Sequence, residues 1–535
     1  MKSRTMLALA LWSLVAPRVA LAQPGAQPSD DDDAEPSDGP EAQAVLPIHI
    51  DDLIDVAVRL SPDLARARND RTVAGHTAAG EHRSQAWIFA ANVQYSRDAT
   101  ADHVEAPPYS VVADDKLSGT IGLSRNLPTG GSLQFQLGVQ HSTSEYNITD
   151  TLQQQLAQSQ SQTGGSQMPD EFMDQNVASL SVQLKQPLAR GFGPDVALAG
   201  QKKAELASTE STIKAQLAAE QLVRDLVTGY WELAYAAYEV DVRQQSLELA
   251  KKQDDLTHEQ MRAGSVPTSA LHAVEYQIAT RSAALLASQL VVEKQSLELR
   301  RQAGLELGQR AIVMKPSEPF EIGEEEFDVD DVLARSRVAN RQIATIEIEK
   351  KIAEVDANVA RDQRKPQVDL SFSGALIGQG EDTGGSLSGL AGGDNFQVSV
   401  GLSVSFELSG AARRQHMAAE IKKHRLDIDR ADAERQIETA VVTAVHQVTA
   451  ARARVALSDK AIEMAEENVR AERSNFLVNR STNFQVMQRQ DELIQARLDR
   501  GRAIADYHEA VAELQFLSGL ILQQYRVNVR PASRG

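Results

Sequence analysis

Two long stretches without proline constrain the fold of this 535-residue chain more than any other feature. They run over residues 195–262 and 411–476. As continuous helices each would be roughly 100 Å long, far longer than an ordinary globular helix, so each needs partners along its whole length. In the second stretch apolar residues repeat every seven positions, with a small residue three positions after most of them, which predicts closely packed helices. The repeating positions are Val441, Val448, Val455, Ile462, Val469 and Phe476. In the first stretch the corresponding positions are Leu226, Leu233, Val240, Leu247 and Met261, with the register broken only at Asp254.

Each stretch is followed by a tight turn and a shorter return helix. In the first turn, Gly264 can end one helix in the left-handed conformation and Pro267 can begin the next. In the second turn, Asn479 stands where Gly264 stands in the first, 215 residues earlier. This correspondence indicates an internal duplication. The expected divisions are a first repeat over residues 48–303, a linker over 304–330, a second repeat over 331–519 and a C-terminal tail over 520–535.

The N-terminus carries the pattern of a secretory signal. Basic residues and an apolar run precede an Ala-x-Ala site that ends at Ala22. This pattern predicts a cleaved signal peptide over residues 1–22 and a mature chain outside the cytoplasm. Residues 23–47 are acidic and rich in proline. Because such a segment buries too little apolar surface to fold, we expect a disordered tail there.

Six segments between the helices alternate with a period of two residues. One face of each is apolar, and the other is mostly Ser, Gln, Asn or Gly, which suits the wet lumen of an outer-membrane barrel. A soluble β-sandwich alternates in the same way, so the pattern leaves both architectures open. The first repeat has room for one hairpin more than the second, over residues 116–146. The six segments are 87–95, 117–123, 133–139, 178–184, 368–373 and 396–406.

Composition excludes several classes of function. The absence of cysteine rules out disulfides, a thiolate zinc site and a lipid-modified N-terminal cysteine. A net charge of −19 gives no electrostatic support for nucleic-acid binding. The histidines lack the four-residue spacing of a helical zinc site, and the glycines of 384–393 lack the lysine of a phosphate-binding loop. We therefore expect no enzyme activity, cofactor or metal.

The order of elements, twice over, resembles the TolC-type outer-membrane efflux and secretion channels, also called outer membrane factors. That order is a short helix, amphipathic strands, a very long helix, a tight turn and a return helix. Local signatures agree, including the short helix of residues 52–57 before Ser61-Pro62 and its counterpart at 331–334. The first return helix also resembles the family at Gln277, Arg281 and Leu285. The resemblance extends from Ile50 to about Leu520.

The resemblance implies an α+β membrane protein that works as a homotrimer. Three copies would close a β-barrel in the outer membrane, continuous with a long helical tube in the periplasm. Family members contribute four strands per protomer, which makes twelve. If all six candidate strands joined, the barrel would have eighteen; otherwise the hairpin of 116–146 packs elsewhere or extends the usual strands.

The implied function is a passive exit duct of a tripartite efflux or type I secretion system. A periplasmic adaptor and an inner-membrane RND or ABC transporter would complete it, in the outer membrane of a Gram-negative-type cell. The alternative is a non-conducting periplasmic or surface coiled-coil protein, which explains the heptads but not the strands. The sequence does not specify the cargo.

Three sets of site residues follow from the same resemblance. The two helical tips would meet the adaptor. Gln485 and Gln488 stand where many relatives carry acidic residues that narrow the pore, and a ring of neutral amides does not hold cations strongly. Trp87, at a strand start, suits the membrane interface, with packing at the helix–strand junction as the alternative. The tip residues are Gly264, Ser265 and Val266 in the first repeat and Asn479, Arg480 and Ser481 in the second.

Overall fold

The computed structural model describes most of the chain after residue 43. The described residues are 44–99, 103–106, 109–148, 172–264, 266–306, 312–393, 395–478 and 480–527. The predicted signal peptide and residues 23–43 of the predicted tail lie outside them.

The first repeat is built as the period of its sequence predicts, with strands flanked by helices. Its first elements are β1 (Ala44–Ile48), α1 (Ile50–Leu60) and α2 (Pro62–His82). The strands that follow are β2 (Ile88–Asp98), β3 (His103–Ala106), β4 (Tyr109–Asn126), β5 (Ser132–Ile148) and β6 (Phe172–Pro187). The helices that complete the repeat are α3 (Pro194–Ala197), α4 (Ala199–Arg262) and α5 (Thr268–Gln302).

The second repeat has the same order with fewer strands. It follows β7 (Ile312–Pro316), which lies in the linker. Its elements are α6 (Val329–Ala339), α7 (Arg341–Asp362), β8 (Gln367–Gly380), α8 (Thr383–Gly392), β9 (Phe396–Ser405), α9 (Ala411–Leu477), α10 (Asn483–Leu517) and α11 (Ile521–Gln524). The two long helices, the return helices and the six predicted strands are therefore all present.

Six long strands form one antiparallel sheet in the order β2-β4-β5-β6-β8-β9, and the short β3 pairs with β4. The hairpin predicted over 116–146 is β4–β5, and it lies inside the sheet between β2 and β6. Of the two arrangements left open by the sequence, the structure shows the one in which the extra hairpin joins the sheet. The chain thus contributes six long strands to this sheet.

The sheet has one apolar and one polar face. A single row of paired positions crosses all six strands with an apolar residue on each, and most of this face is exposed. The neighbouring rows on the other face carry mainly Ser, Gln, Thr and Gly. The apolar row is Ala91, Ile121, Leu137, Leu180, Leu376 and Phe396. Among the described residues, no helix is long and apolar enough to cross a bilayer.

The long helices pack in pairs, α4 with α5 and α9 with α10, and α4 also packs against α10. The predicted heptad positions Val441, Val448 and Val455 are buried. In α4 the predicted register holds until its break at Asp254. There the buried side of the helix passes to Ala250, Gln253 and Thr257, two of which are polar.

Two predicted tails are shorter than expected. Residues 44–47, placed in the disordered tail of 23–47, belong to β1, which pairs in parallel with β7. Ile521, placed in the tail of 520–535, is fully buried. The Tyr230 hydroxyl accepts hydrogen bonds from the Ser317 and Glu318 amides at 3.0 and 3.2 Å and donates to the Ile48 carbonyl at 3.3 Å. These partners are far apart in sequence, so no local pattern marked the segments as ordered.

Candidate functional site

The first helical tip is a minimal turn. α4 ends at Arg262, and Gly264 adopts a left-handed φ of +72° with open space where a Cβ would lie. Glycine is thus required here by backbone conformation and not by crowding. Val266 is half-buried before Pro267 caps α5. Ser265 lies outside the described residues.

The second tip is held by side chains as well as backbone. The Arg480 amide donates to the Asn475 carbonyl at 2.8 Å, and the Arg480 side chain is exposed. The Ser481 hydroxyl donates to Glu472. Thr482 and Gln485 form a reciprocal capping box that begins α10, with the Thr482 amide donating to the Gln485 amide oxygen at 3.1 Å. Asn479 lies outside the described residues.

The capping box changes the interpretation of the predicted aperture residues. The Gln485 side chain is engaged in starting the helix, whereas Gln488, one turn further on, is exposed. Phe484 is 72% exposed beside them. Leu477 and Val478 are also exposed at this tip. The second tip therefore presents an apolar surface that the sequence analysis did not identify.

Buried amides join α4 to α10 at the first turn of α10. The Gln253 side chain donates to the Asn483 amide oxygen at 2.6 Å, and Asn483 donates to the Thr257 hydroxyl at 2.9 Å. All three residues are buried. Because these donors and acceptors satisfy each other, sliding of one helix along the other would leave polar groups unpaired.

Arg281 links α4, α5 and α10 about two helical turns beyond Asn483 along α10. Its side chain, only 7% exposed, extends from α5 across α4 to α10. It donates to the Ser246 carbonyl at 3.0 Å, to Gln490 at 3.1 Å and to the Asp491 carboxylate at 2.8 Å. The residue that resembles the family in the sequence is thus a buried link between the two helical pairs.

Residues 317–323 of the linker lie against one side of the packed helices α4, α9 and α10. His508 of α10 stacks on Trp231 of α4 with ring centroids 3.5 Å apart, and its ring lies 2.7 Å from the Glu321 carbonyl. Burial lowers the pKa of His508. Arg452 of α9 donates to the Gly323 carbonyl at 3.1 Å. Arg502, Asp506 and Glu509 of α10 are spaced by four and three positions, so they share a face on the opposite side of the helix.

A charged cluster occupies that opposite side. Arg502 contacts Glu232 of α4 at 2.8 Å, Asp506 at 2.6 Å and Glu509 at 2.9 Å. Arg454 of α9 contacts Asp506 at 2.7 Å. Burial, together with the nearby Glu232 carboxylate, raises the pKa of Glu509 to about 7. A cavity of about 580 Å³ lies beside the cluster between α4, α9 and α10.

Trp87 lies directly before β2, at the end of the sheet nearest the helices. Its ring centroid is 6.2 Å from that of Phe135 on the apolar face, and the Arg125 guanidinium lies 5.7 Å above the ring. The side chain is half exposed. An aromatic with one apolar and one charged neighbour fits an interface between lipid and water.

The second repeat is the part of the chain that matches a known protein family by sequence. Residues 332–520 match the family model described as outer membrane efflux protein, almost the same bounds as the predicted second repeat. The second repeat is therefore similar to outer membrane efflux proteins. The predicted resemblance to the TolC-type channels is thereby confirmed. No curated protein matches the chain by sequence.

Solved structures extend the likeness beyond residues 332–520 to both repeats. The outer membrane protein VceC of Vibrio cholerae is 14% identical, with a TM-score of 0.62 over 88% of this chain and 96% of its own. The Campylobacter jejuni CmeC outer membrane channel is 13% identical, with a TM-score of 0.63 over 88% and 85%. The open Neisseria gonorrhoeae MtrE channel is 13% identical, with a TM-score of 0.60 over 88% and 89%. At these identities the comparison shows a shared fold.

Two polar groups between the helices, the Gln253–Asn483 link and the Arg502 cluster, are hard to recognise in the sequence. The break in the heptad at Asp254 was the only signal for the Gln253–Asn483 link. The Arg502 cluster gave none, because alternating charges on a long helix are typical of any solvated face. Among the described residues, no group of three or more His, Asp or Glu side chains is placed to hold a metal ion.

Proposed function

We propose that this protein is the outer-membrane exit duct of a tripartite efflux system, reaching into the periplasm and conducting solutes passively. The observation that carries the proposal is the six-stranded sheet, apolar on one exposed face and polar on the other, joined directly to paired long helices. The family model confirms the predicted efflux function, and type I secretion stays a prediction. Two of the matched structures are described as channels, which supports conduction over catalysis.

The sheet supports a closed oligomer. Its edge strands β2 and β9 run in opposite directions, so β9 of one copy can pair antiparallel with β2 of the next. An open edge is not tolerated in lipid, because its backbone groups would lack hydrogen-bond partners. Three copies with six long strands each would close an eighteen-stranded barrel. Because barrel diameter grows about linearly with strand number, it would be roughly 1.5 times as wide as a twelve-stranded one.

The helical tips are the proposed contact with a periplasmic adaptor, through Gly264, Ser265 and Val266 on one side and Asn479, Arg480 and Ser481 on the other. An inner-membrane RND or ABC transporter would supply the energy. Gln488 remains a candidate for the narrowest ring, since Gln485 also serves the capping box. Trp87 is proposed to lie at the periplasmic interface of the outer membrane.

In the proposed tube, the linker side of the helices faces outward and the Arg502 cluster faces the lumen. The linker extends across α4, α9 and α10 on the same side, which supports this orientation. Solutes would then pass a wall that carries both carboxylates and arginines at mid-height. Such a wall favours hydrated, polar passage over tight binding of one charge type.

Conductance across a planar lipid bilayer tests the proposal. The purified protein should insert and give discrete current steps, and it should migrate as a heat-modifiable trimer. A non-conducting coiled-coil protein would be soluble without detergent and give no steps. The exposed apolar sheet face already disfavours that alternative, because such a face is costly in water.

A further inference from the structure

The loop between β8 and β9 carries a helix that lies against the sheet. α8 spans Thr383–Gly392 and begins at Asp382, whose carboxylate accepts the Gly385 amide at 2.6 Å. The Asn176 side chain of β6 donates to the Glu381 carbonyl at 2.9 Å and anchors the start of the helix. These hydrogen bonds hold the start of α8 in a fixed position against the sheet.

Glycines bring α8 into backbone contact with β8. A Cβ on Gly378 or Gly380 would collide with the backbone of Ser386, and one on Gly389 would lie 3.2 Å from the Gly378 Cα. Ser386 is fully buried at this contact. By contrast, a Cβ on Gly119, on the same face of β4, would meet nothing within 4 Å. The glycines at 378 and 380 thus make room specifically for the helix.

α8 lies on the apolar face of the sheet. Gly378 and Gly380 share the parity of Leu376, and their partners on β6 are Ala178 and Asn176. Both of these partners are buried beneath the helix, whereas Leu180, two residues on, is exposed. Side chains alternate strictly across a strand without a bulge, so the helix cannot be on the polar side.

The height of α8 on this face is also defined. Gly380 is the end of β8 farthest from the long helices. The paired row through Ala178 and Val139 is apolar. The next row, two residues farther from the long helices, is mixed, and the row after that is polar. The mixed row is Tyr95, Leu117, His141 and Asn176, and the polar row is Arg97, Asp115, Thr143 and Asp174. α8 therefore covers the level at which the apolar band ends.

The surface that α8 turns outward has no charge. Between Thr383 and Gly393 there is no charged residue, and Leu387, 42% exposed, points away from the sheet together with Ser388 and Ala391. The acids that precede the helix, Glu381 and Asp382, are exposed. An uncharged outer side continuous with an exposed apolar wall suits the boundary between acyl chains and headgroups.

We propose that α8 is an interfacial helix that lies in the outer leaflet, with Leu387 and Ala391 against lipid. The inference rests on the proposed function, because it requires the apolar face to be the lipid-facing one. With no cysteine for a lipid anchor, such a helix on each copy would add contacts at the far side of the bilayer.

Single-cysteine labelling tests the inference, and the cysteine-free chain needs no background changes. Leu387→Cys, Val400→Cys and Gln397→Cys would carry a fluorophore on α8, on mid-band apolar β9 and on polar β9. In phosphatidylcholine vesicles, we expect the label at 387 to be quenched at least twofold more by a shallow lipid nitroxide than by aqueous iodide. The label at 400 should respond to a deep nitroxide, and the label at 397 to iodide alone.

Other outcomes separate the inference from the proposed function. Loss of lipid quenching at 400 would overturn the membrane assignment of the whole sheet. A normal response at 400, with iodide quenching at 387, would overturn the inference alone. Protection of 387 from every quencher would also overturn it, since a neighbouring copy would then cover the helix.

A matched pair of glycine variants tests whether α8 needs the space left by Gly378 to pack on the sheet. In the Leu387→Cys background, Gly378→Leu should dislodge α8 and raise iodide quenching of the label at least twofold. Gly119→Leu, at an open position of the same face, should leave the quenching unchanged. Equal responses of the two variants would contradict the proposed seating.

Discussion

Asn483 and Gln253 each place an amide where a long helix faces its neighbour, and the two amides satisfy each other at 2.6 Å. Such a pair adds little net stability, but it penalises every other register of α4 against α10. The residue scale thus contributes specificity of alignment. The apolar heptad positions contribute most of the buried surface.

Glu509 should make the stability of the helical wall depend on pH. Burial raises the pKa of Glu509 to about 7 from an ordinary value of 4.5, so the folded state holds a proton that the unfolded chain releases. The stability linked to this group is greatest below pH 4.5 and is lost as pH rises through 7. Glu509→Gln should therefore raise the melting temperature by a few degrees at pH 8 and leave it nearly unchanged at pH 5.

The control for this measurement is Glu492→Gln, on an exposed stretch of the same helix. Thermal unfolding in detergent at the two pH values compares the three proteins. A Glu509→Gln protein whose melting temperature falls with pH as steeply as that of the unmodified protein would contradict the prediction.

Arg480 should matter for docking at the second tip. Its side chain is exposed, and the turn is held through its backbone amide, so Arg480→Glu should preserve the fold. We expect crosslinking to the periplasmic adaptor to fall several-fold, because a reversed charge at a contact repels the partner's complementary surface. Arg425→Glu, exposed on α9 far from this turn, is the matched variant. Unchanged crosslinking in Arg480→Glu would remove the tip from the docking surface.

At the scale of elements, the two helical pairs are coupled through α5, α4 and α10. Arg281→Met keeps the apolar stem of the side chain but leaves Gln490 and the Ser246 carbonyl without their donor. Hydrogen bonds to a charged group contribute about 1.5–3 kcal/mol each, so we expect a loss of stability of that order. Amide hydrogen exchange near Ser246 should accelerate as well.

The comparison for Arg281 is Arg301→Met on the same helix. Arg301 is exposed and pairs with Glu298 three residues earlier, a type of surface pair that adds little net stability. Similar losses of stability in the two variants would show that the buried hydrogen bonds of Arg281 stabilise the protein no more than an exposed ion pair does.

At the scale of the whole molecule, the number of strands sets the width of the duct. A variant lacking residues 103–148 would lose β3, β4 and β5. Since β2 and β6 run in opposite directions, they could pair in its place. Top views by electron microscopy should then show eighteen strands in the unmodified trimer and twelve in the variant, with a barrel narrower by roughly a third. Twelve strands in the unmodified trimer would contradict the proposed closure.

The sequence by itself determined the architecture of each half. Heptad spacing, the absence of proline and the glycine or asparagine turns predicted both helical pairs to within a few residues, because these patterns act over short distances along the chain. The alternation of period two predicted six strands and their faces for the same reason. It left open whether the strands lay in a barrel or a sandwich, since both bury one face.

Only the tertiary structure decided which distant segments meet. The position of β4–β5 between β2 and β6, the pairing of β1 with β7, and the links through Arg281, Asn483 and Arg502 all join residues far apart in the sequence. The seating of α8 on Gly378 and Gly380 is of the same kind. A polar residue on a long helix has the same local pattern whether it faces water or a partner, so its role is defined only when the partner is in place.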